Sequence, residues 1–214
     1  PSYLRMAKVT WEKSDPDKDD WKEELIEDFT SEKIFLEIRK SMKENKRDLI
    51  VFVHGFNNGW EDAVKAAIDT AEIYDCEVVC FTWPSDGLLK YHDCKRRAIN
   101  SVPAYDRFLE KLGRYLVNFH GDGGECYQRI SGLTHSMANL ILKHHLKSSY
   151  FSNEYGIFSN WNMFAPDTNN AGHVEWVDKI GSKRVNIIIN EDDIALDISD
   201  NKRGPAQGPR LGNY

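Results

Sequence analysis

Thr134-His135-Ser136-Met137-Ala138-Asn139 is the stretch on which the reading of this chain turns. It lies between an apolar run, Ile130 to Leu133, and a helical pattern, Leu140 to Leu146. A serine at a sharp strand-to-helix junction stands exposed above the edge of a sheet. Backbone N–H groups at the start of the helix then lie beside its oxygen and can hold an oxyanion. The usual form of such a junction is G-x-S-x-G, and here Thr134 and Ala138 occupy the two glycine positions. Both are small, as close approach of strand and helix demands. A serine at the head of a helix is also a common cap, so the hexapeptide alone leaves nucleophile and cap about equally open.

Outward from this point the chain alternates. Asp48 to His54 (DLIVFVH) is a continuous apolar, β-branched run, the mark of a strand buried on both faces. Gly55 to Gly59 is a turn, and Trp60, Ala63, Val64, Ala67, Ile68 and Ala71 then recur at helical spacing. Glu77 to Trp83 is a second buried strand, stopped by Pro84. Helical segments run from about His92 to Asn118, with Pro103 marking a break or a new first turn. Gln128 to Thr134 is a third strand with Asn139 to Ser148 as its helix, and Asn160 to Ala165 and Arg184 to Ile189 are two more strands. This alternation predicts an α/β fold with a mostly parallel sheet and helices on both faces. The segments Leu49-Val53, Val78-Phe81, Ile130-Leu133, Met163-Phe164 and Val185-Ile189 are expected to share that sheet. Upstream, Ser2 to Val9 has the alternation of an edge strand in an antiparallel piece. A charged amphipathic helix is expected from Trp21 to about Lys43, with a break near Thr30-Ser31. Residues 1–46 are thus read as an edge strand and helix of the same domain, and residues 47–214 as its core.

The 214 residues suit one domain, with 41% hydrophobic and 12% aromatic side chains, as in a packed globular protein. A net charge of −6 offers no footprint for nucleic acid or an anionic membrane, and no stretch reaches the length of a membrane span. The sequence opens at Pro1 without a signal-peptide pattern, as a processed chain or a fragment would. Cys76, Cys80, Cys94 and Cys126 form neither a C-x-x-C pair nor a zinc spacing, so a reducing cytoplasm is the expected setting. Neither a metal nor another cofactor is expected, and the oligomeric state is left open.

Ligand-handling residues in open α/β sheets collect beyond the carboxyl ends of the strands. Here those ends carry His54-Gly55-Phe56-Asn57-Asn58, Thr82-Trp83-Pro84-Ser85, the Ser136 junction, Pro166-Asp167 and Asn190-Glu191-Asp192-Asp193. Val53-His54-Gly55-Phe56-Asn57, Phe81-Thr82-Trp83-Pro84-Ser85, His135-Ser136-Met137-Ala138-Asn139, Ala165-Pro166-Asp167, Asp193-Ile194-Ala195-Leu196 and Arg210-Leu211-Gly212 follow in that order. Taken together, they resemble a bacterial branch of α/β-hydrolase-fold proteins of largely unassigned function. The match runs from about Asp48 to Gly212. The resemblance implies Ser136 as nucleophile and Asp193 as the acid that orients a histidine. It further implies the backbone N–H groups of Phe56 and Met137 as an oxyanion hole, and a small-molecule acyl ester or thioester as substrate.

Ala138 departs from the family's glycine, and no histidine follows Asp193. Three explanations stand side by side. The chain as given stops before a last strand and its histidine, which is the favoured expectation; or it is a pseudoenzyme that keeps the pocket for binding; or an unorthodox base such as His173 serves. Asp167 is the alternative acid, although a loop hydrogen-bonder is its commoner role. Asn57 and Asn58 are read as caps of the following helix, Trp60 and Trp83 as core or pocket wall, and His144 with His145 as a surface pair.

Overall fold

The run Leu49–Val53 becomes the second strand of a parallel sheet because both of its faces are covered; Leu49, Val51, Phe52 and Val53 are buried. A computed structural model describes residues 6–11, 21–26, 31–85, 91–117, 128–148, 154–190, 196 and 209–213. Within these, the core sheet consists of β3 (Leu49–Val53), β4 (Glu77–Phe81), β5 (Ile130–His135), β6 (Asn160–Phe164) and β7 (Arg184–Ile188), in the spatial order β4-β3-β5-β6-β7. All four pairings are parallel. The five segments expected to share a sheet do so.

Helix α2 (Trp60–Tyr74) carries the chain from β3 outward to β4. Helices α3 (Tyr91–Asn100) and α4 (Val102–Lys111) bring it back past β3 to β5, with Pro103 in the first turn of α4. Helix α5 (Ala138–Lys147) then leads onward in that same sense to β6, opposite to α2. Right-handed crossovers running in opposite directions place α2 on one face and α3, α4 and α5 on the other. The reversal falls between β3 and β5, so a crevice opens at the carboxyl ends of those two strands. Val53 is paired with Thr134 there, which brings Gly55 and Ser136 to the same end of the sheet.

The N-terminal piece departs from expectation. Trp21–Ile26 is a strand, β2, paired antiparallel with β1 (Met6–Trp11) so that Trp11 faces Trp21. The helix, α1, spans only Ser31–Asn45, starting where the sequence suggested a mere break. Backbone pairing with β1 and the hydrogen bond from Trp11 Nε1 to Glu72 on α2 hold the segment extended. No helical periodicity in Trp-Lys-Glu-Glu-Leu-Ile competes with that pairing. Glu32 and Lys43 sit at the ends of α1 where the helix dipole favours each charge.

Behind the crevice the core is aromatic. Trp161 on β6 is fully buried and lies across Gly132 on β5, its register partner. Tyr155 and Phe158 meet it edge-on at 4.8 Å, and a Cβ on residue 132 would fall inside the Trp161 ring. Gly132→Ala is therefore expected to lower stability by about 3 kcal/mol through overpacking. Urea denaturation followed by far-UV circular dichroism reads this directly; a variant as stable as the parent would mean that Trp161 has room to move.

Candidate active site

Ser136 occupies the left-handed region, φ 50°, between the end of β5 and the start of α5. A non-glycine residue held there costs about 1–3 kcal/mol, and the surrounding backbone holds it. Its N–H donates to Phe164 O at 2.9 Å, and its carbonyl accepts from Asn139 N (3.1 Å), Asn139 Nδ2 (3.0 Å) and Asp167 N (3.2 Å). Met137, not Ser136, is the cap residue of α5, and no side chain caps that helix. Among the described residues nothing hydrogen-bonds Ser136 Oγ. The helix-cap alternative is therefore not what the geometry supports.

Gly55 packs directly against this junction. A Cβ there would lie 2.7 Å from His135 Nδ1 and 3.1 Å from Ser136 Cβ, so glycine is required by close approach. After it the chain turns through Asn57 at φ 61°. Asn57 N donates to Ser85 O (2.9 Å), Asn58 N donates to Ser85 Oγ (3.2 Å), and Ser85 Oγ donates back to Asn58 O (2.8 Å). Gly59, rather than either asparagine, caps α2, with its N–H bonded to Asp62 Oδ2 at 2.8 Å. Open backbone donors remain at this end of the sheet. Among the described residues, the N–H groups of Phe56 and Met137 have no hydrogen-bond partner.

His54 underlies the turn as a neutral ring. Its Nδ1–H donates to Gly55 O (3.1 Å), and its Nε2 accepts the N–H of Trp83 (3.1 Å). Trp83 Nε1 donates to His54 O (2.8 Å), and the two rings stack at 5.6 Å. Burial pushes the imidazole down to about 4, against an upward pull from the Gly55 carbonyl. With both nitrogens engaged, His54 has no nitrogen left to serve as a base for Ser136.

Asp167 is buried below the other side of the junction. Its Oδ2 accepts from Tyr91 OH at 2.6 Å and its Oδ1 meets Arg210 Nε at 3.1 Å. Neither partner belonged to the sequence-derived site, although Arg210 stood in one of its motifs. Tyr91 gave no signal. His173 stands at the head of α6 (Val174–Val177), its Nδ1–H donating to Asn170 O at 2.7 Å. His145, expected at the surface, is fully buried between Asp106 Oδ1 and Tyr155 OH, each at 3.0 Å. It faces the α4–α5 packing because the apolar stripe of α5 is wider than a surface helix would show. Trp60, by contrast, is exposed, while Trp83 is buried as read. Asp193, with Glu191 and Asp192, lies outside the described residues, as does His120. Among the described residues no three His, Cys, Asp or Glu side chains gather to hold a metal ion, and no helix is long and apolar enough to cross a membrane.

The chain that folds into this parallel sheet, with a strained serine at its carboxyl edge, matches the model of a known family. The model of the family described as alpha/beta hydrolase of unknown function (DUF900) covers residues 30–213. The chain belongs to it. No curated protein and no solved structure matches the chain significantly. Membership fixes the hydrolase fold and leaves the reaction to be argued from the residues.

The neutral His54 carries a pH dependence. The unfolded ring takes up a proton near 6.5 and the folded ring only near 4, so between those values the unfolded state binds the extra proton. Stability contributed by His54 is present above about pH 6.5 and falls as pH drops toward 4, by about 3 kcal/mol in all. Urea denaturation of the parent and of His54→Gln at about pH 7 and about pH 4.5 measures this contribution. The parent should lose more stability than the variant. Equal losses would show that the buried ring accepts its proton freely.

Proposed function

We propose that this protein is a serine hydrolase that cleaves an ester or thioester of a small or lipid-like acyl group. The observation that carries this reading is the left-handed Ser136, its oxygen unbonded among the described residues, beside the open N–H groups of Phe56 and Met137. Ser136 Oγ attacks the acyl carbon, and the carbonyl electrons move onto oxygen. Phe56 N–H and Met137 N–H, as the oxyanion hole, stabilise that developing charge. The proton of Ser136 passes to a base and then to the departing alcohol or thiol. Water then attacks the acyl-enzyme and regenerates the serine.

Asp193 is the proposed acid of this machinery. Asp167 suits that role less well, since Tyr91 and Arg210 already engage both of its oxygens. Among the described histidines, His54 and His145 have both ring nitrogens occupied. His173 differs. Its Nδ1 must be the protonated nitrogen, because a carbonyl only accepts, and the neutral ring then carries its lone pair on Nε2. It is the first described histidine to substitute in the search for the base. The reduced cysteines Cys76, Cys80 and Cys94 suit the cytoplasmic setting that goes with this reading.

A fluorophosphonate should label the protein at Ser136, and Ser136→Ala should abolish both labelling and p-nitrophenyl ester turnover, a loss of about a thousandfold or more. His173→Ala should lower the labelling rate if its ring is the base. An intact, folded protein that is never labelled would favour a binding protein built on the hydrolase scaffold.

A further inference from the structure

Asp167 takes part in none of the steps above, yet it is among the most completely buried charges in the described structure. It is 3% exposed and its partner Arg210 is 1% exposed. Removing an ion pair from water costs several kcal/mol per ion, so burial without further bonds is destabilising. Here those bonds are present: Tyr91 OH on Oδ2, Arg210 Nε on Oδ1, and Arg210 Nη1 on Asn169 Oδ1 at 2.7 Å.

The pair also stands between two loops. Through its backbone N–H, Asp167 bonds the Ser136 carbonyl at 3.2 Å. Through Tyr91, which meets the Phe56 ring edge-on at 5.6 Å, it reaches the turn after β3. An oxyanion shared by Phe56 N–H and Met137 N–H needs two donors from separate loops at a fixed spacing. Within the sheet the spacing of the strands is set by hydrogen bonds, but both donors lie beyond the strand ends.

We propose that Asp167 and Tyr91 are positioning residues that hold the Phe56 turn and the Ser136 junction at the separation an oxyanion requires, with Arg210 fixing the carboxylate. This rests on the serine-hydrolase reading. It assigns Asp167 a role other than that of triad acid, and it makes Tyr91 a determinant of rate rather than of substrate affinity.

The test compares Tyr91→Phe with Tyr155→Phe, a second buried tyrosine whose hydroxyl bonds His145 away from the crevice. Two measurements are made on each full-length variant: fluorophosphonate inactivation, resolved into its maximal rate and its half-saturating concentration, and the amide nitrogen resonances of Phe56 and Met137. In Tyr91→Phe the maximal rate should fall about tenfold or more, the half-saturating concentration should stay within about twofold, and both amide resonances should move. Tyr155→Phe should leave all three near parental values. Parental kinetics and unmoved amides in Tyr91→Phe would overturn the proposal, as would equal losses in both variants, which would mark a general loss of stability. If the parent is not labelled at all, the hydrolase reading fails, and the amide resonances alone decide whether Tyr91 spaces the two loops.

Discussion

A serine forced to a positive φ is the constraint around which the carboxyl end of this sheet is organised. L-residues avoid that conformation, and Ser136 is kept there by Phe164 from β6, Asn139 from α5 and Asp167 from the following loop. Each of those groups has then to be held in turn. Ala165, also left-handed at φ 41°, bends the chain sharply after β6 so that Asp167 can reach back to the serine carbonyl. Gly212 packs onto the Ala165–Pro166 backbone with no space for a Cβ. Its neighbours secure it there, through Leu211 N to Thr168 O (2.8 Å), Gly212 N to Pro166 O (3.1 Å) and Asn190 N to Gly212 O (2.9 Å). Segments far apart in sequence thus serve one strained residue.

The polar groups under the site follow opposite strategies with the same outcome. His54 is kept neutral, each ring nitrogen bonded to backbone, so its burial carries no charge. Asp167 and Arg210 are kept as an ion pair with additional hydrogen bonds. In both cases the side chain fixes a loop that has no strand partner of its own. Removing one member would leave a buried polar group without its bond, which costs more than the bond itself contributes.

Much of this was legible in the sequence for a physical reason. Strands of a parallel sheet are buried on both faces, so Leu49–Val53 and Ile130 to Leu133 read as unbroken apolar runs, and their helices carry a distinct period. The order of motifs at the strand ends then placed Ser136 and Phe56 at one edge. What was hidden depended on distance along the chain. Tyr91 and Arg210 lie on opposite sides of Asp167 in sequence, and no local pattern announces that the three meet. Trp21–Ile26 was misread because its strand character comes from pairing with Met6–Trp11, a property of two segments and of neither alone.

The two glycine positions of the junction illustrate the same point more sharply. Judged by pattern, Thr134 weakens the nucleophile reading. In the structure its hydroxyl donates to Asn139 Oδ1 at 2.7 Å and accepts Trp161 Nε1 at 3.3 Å. That fixes the Asn139 amide so that its Nδ2 is directed at the carbonyls of Thr134 (3.3 Å) and Ser136 (3.0 Å). A glycine at 134 would permit a closer approach of strand and helix, yet it would leave Asn139 Oδ1 and Trp161 Nε1, both buried, without those bonds. Close approach is supplied instead by Gly132, on β5 itself beneath Trp161, and by Gly55, just beyond the end of β3, against Ser136. The small residues that the junction needs are present, displaced by two positions along β5 and across to β3, and the position they vacated carries the hydrogen bonds that hold the serine carbonyl.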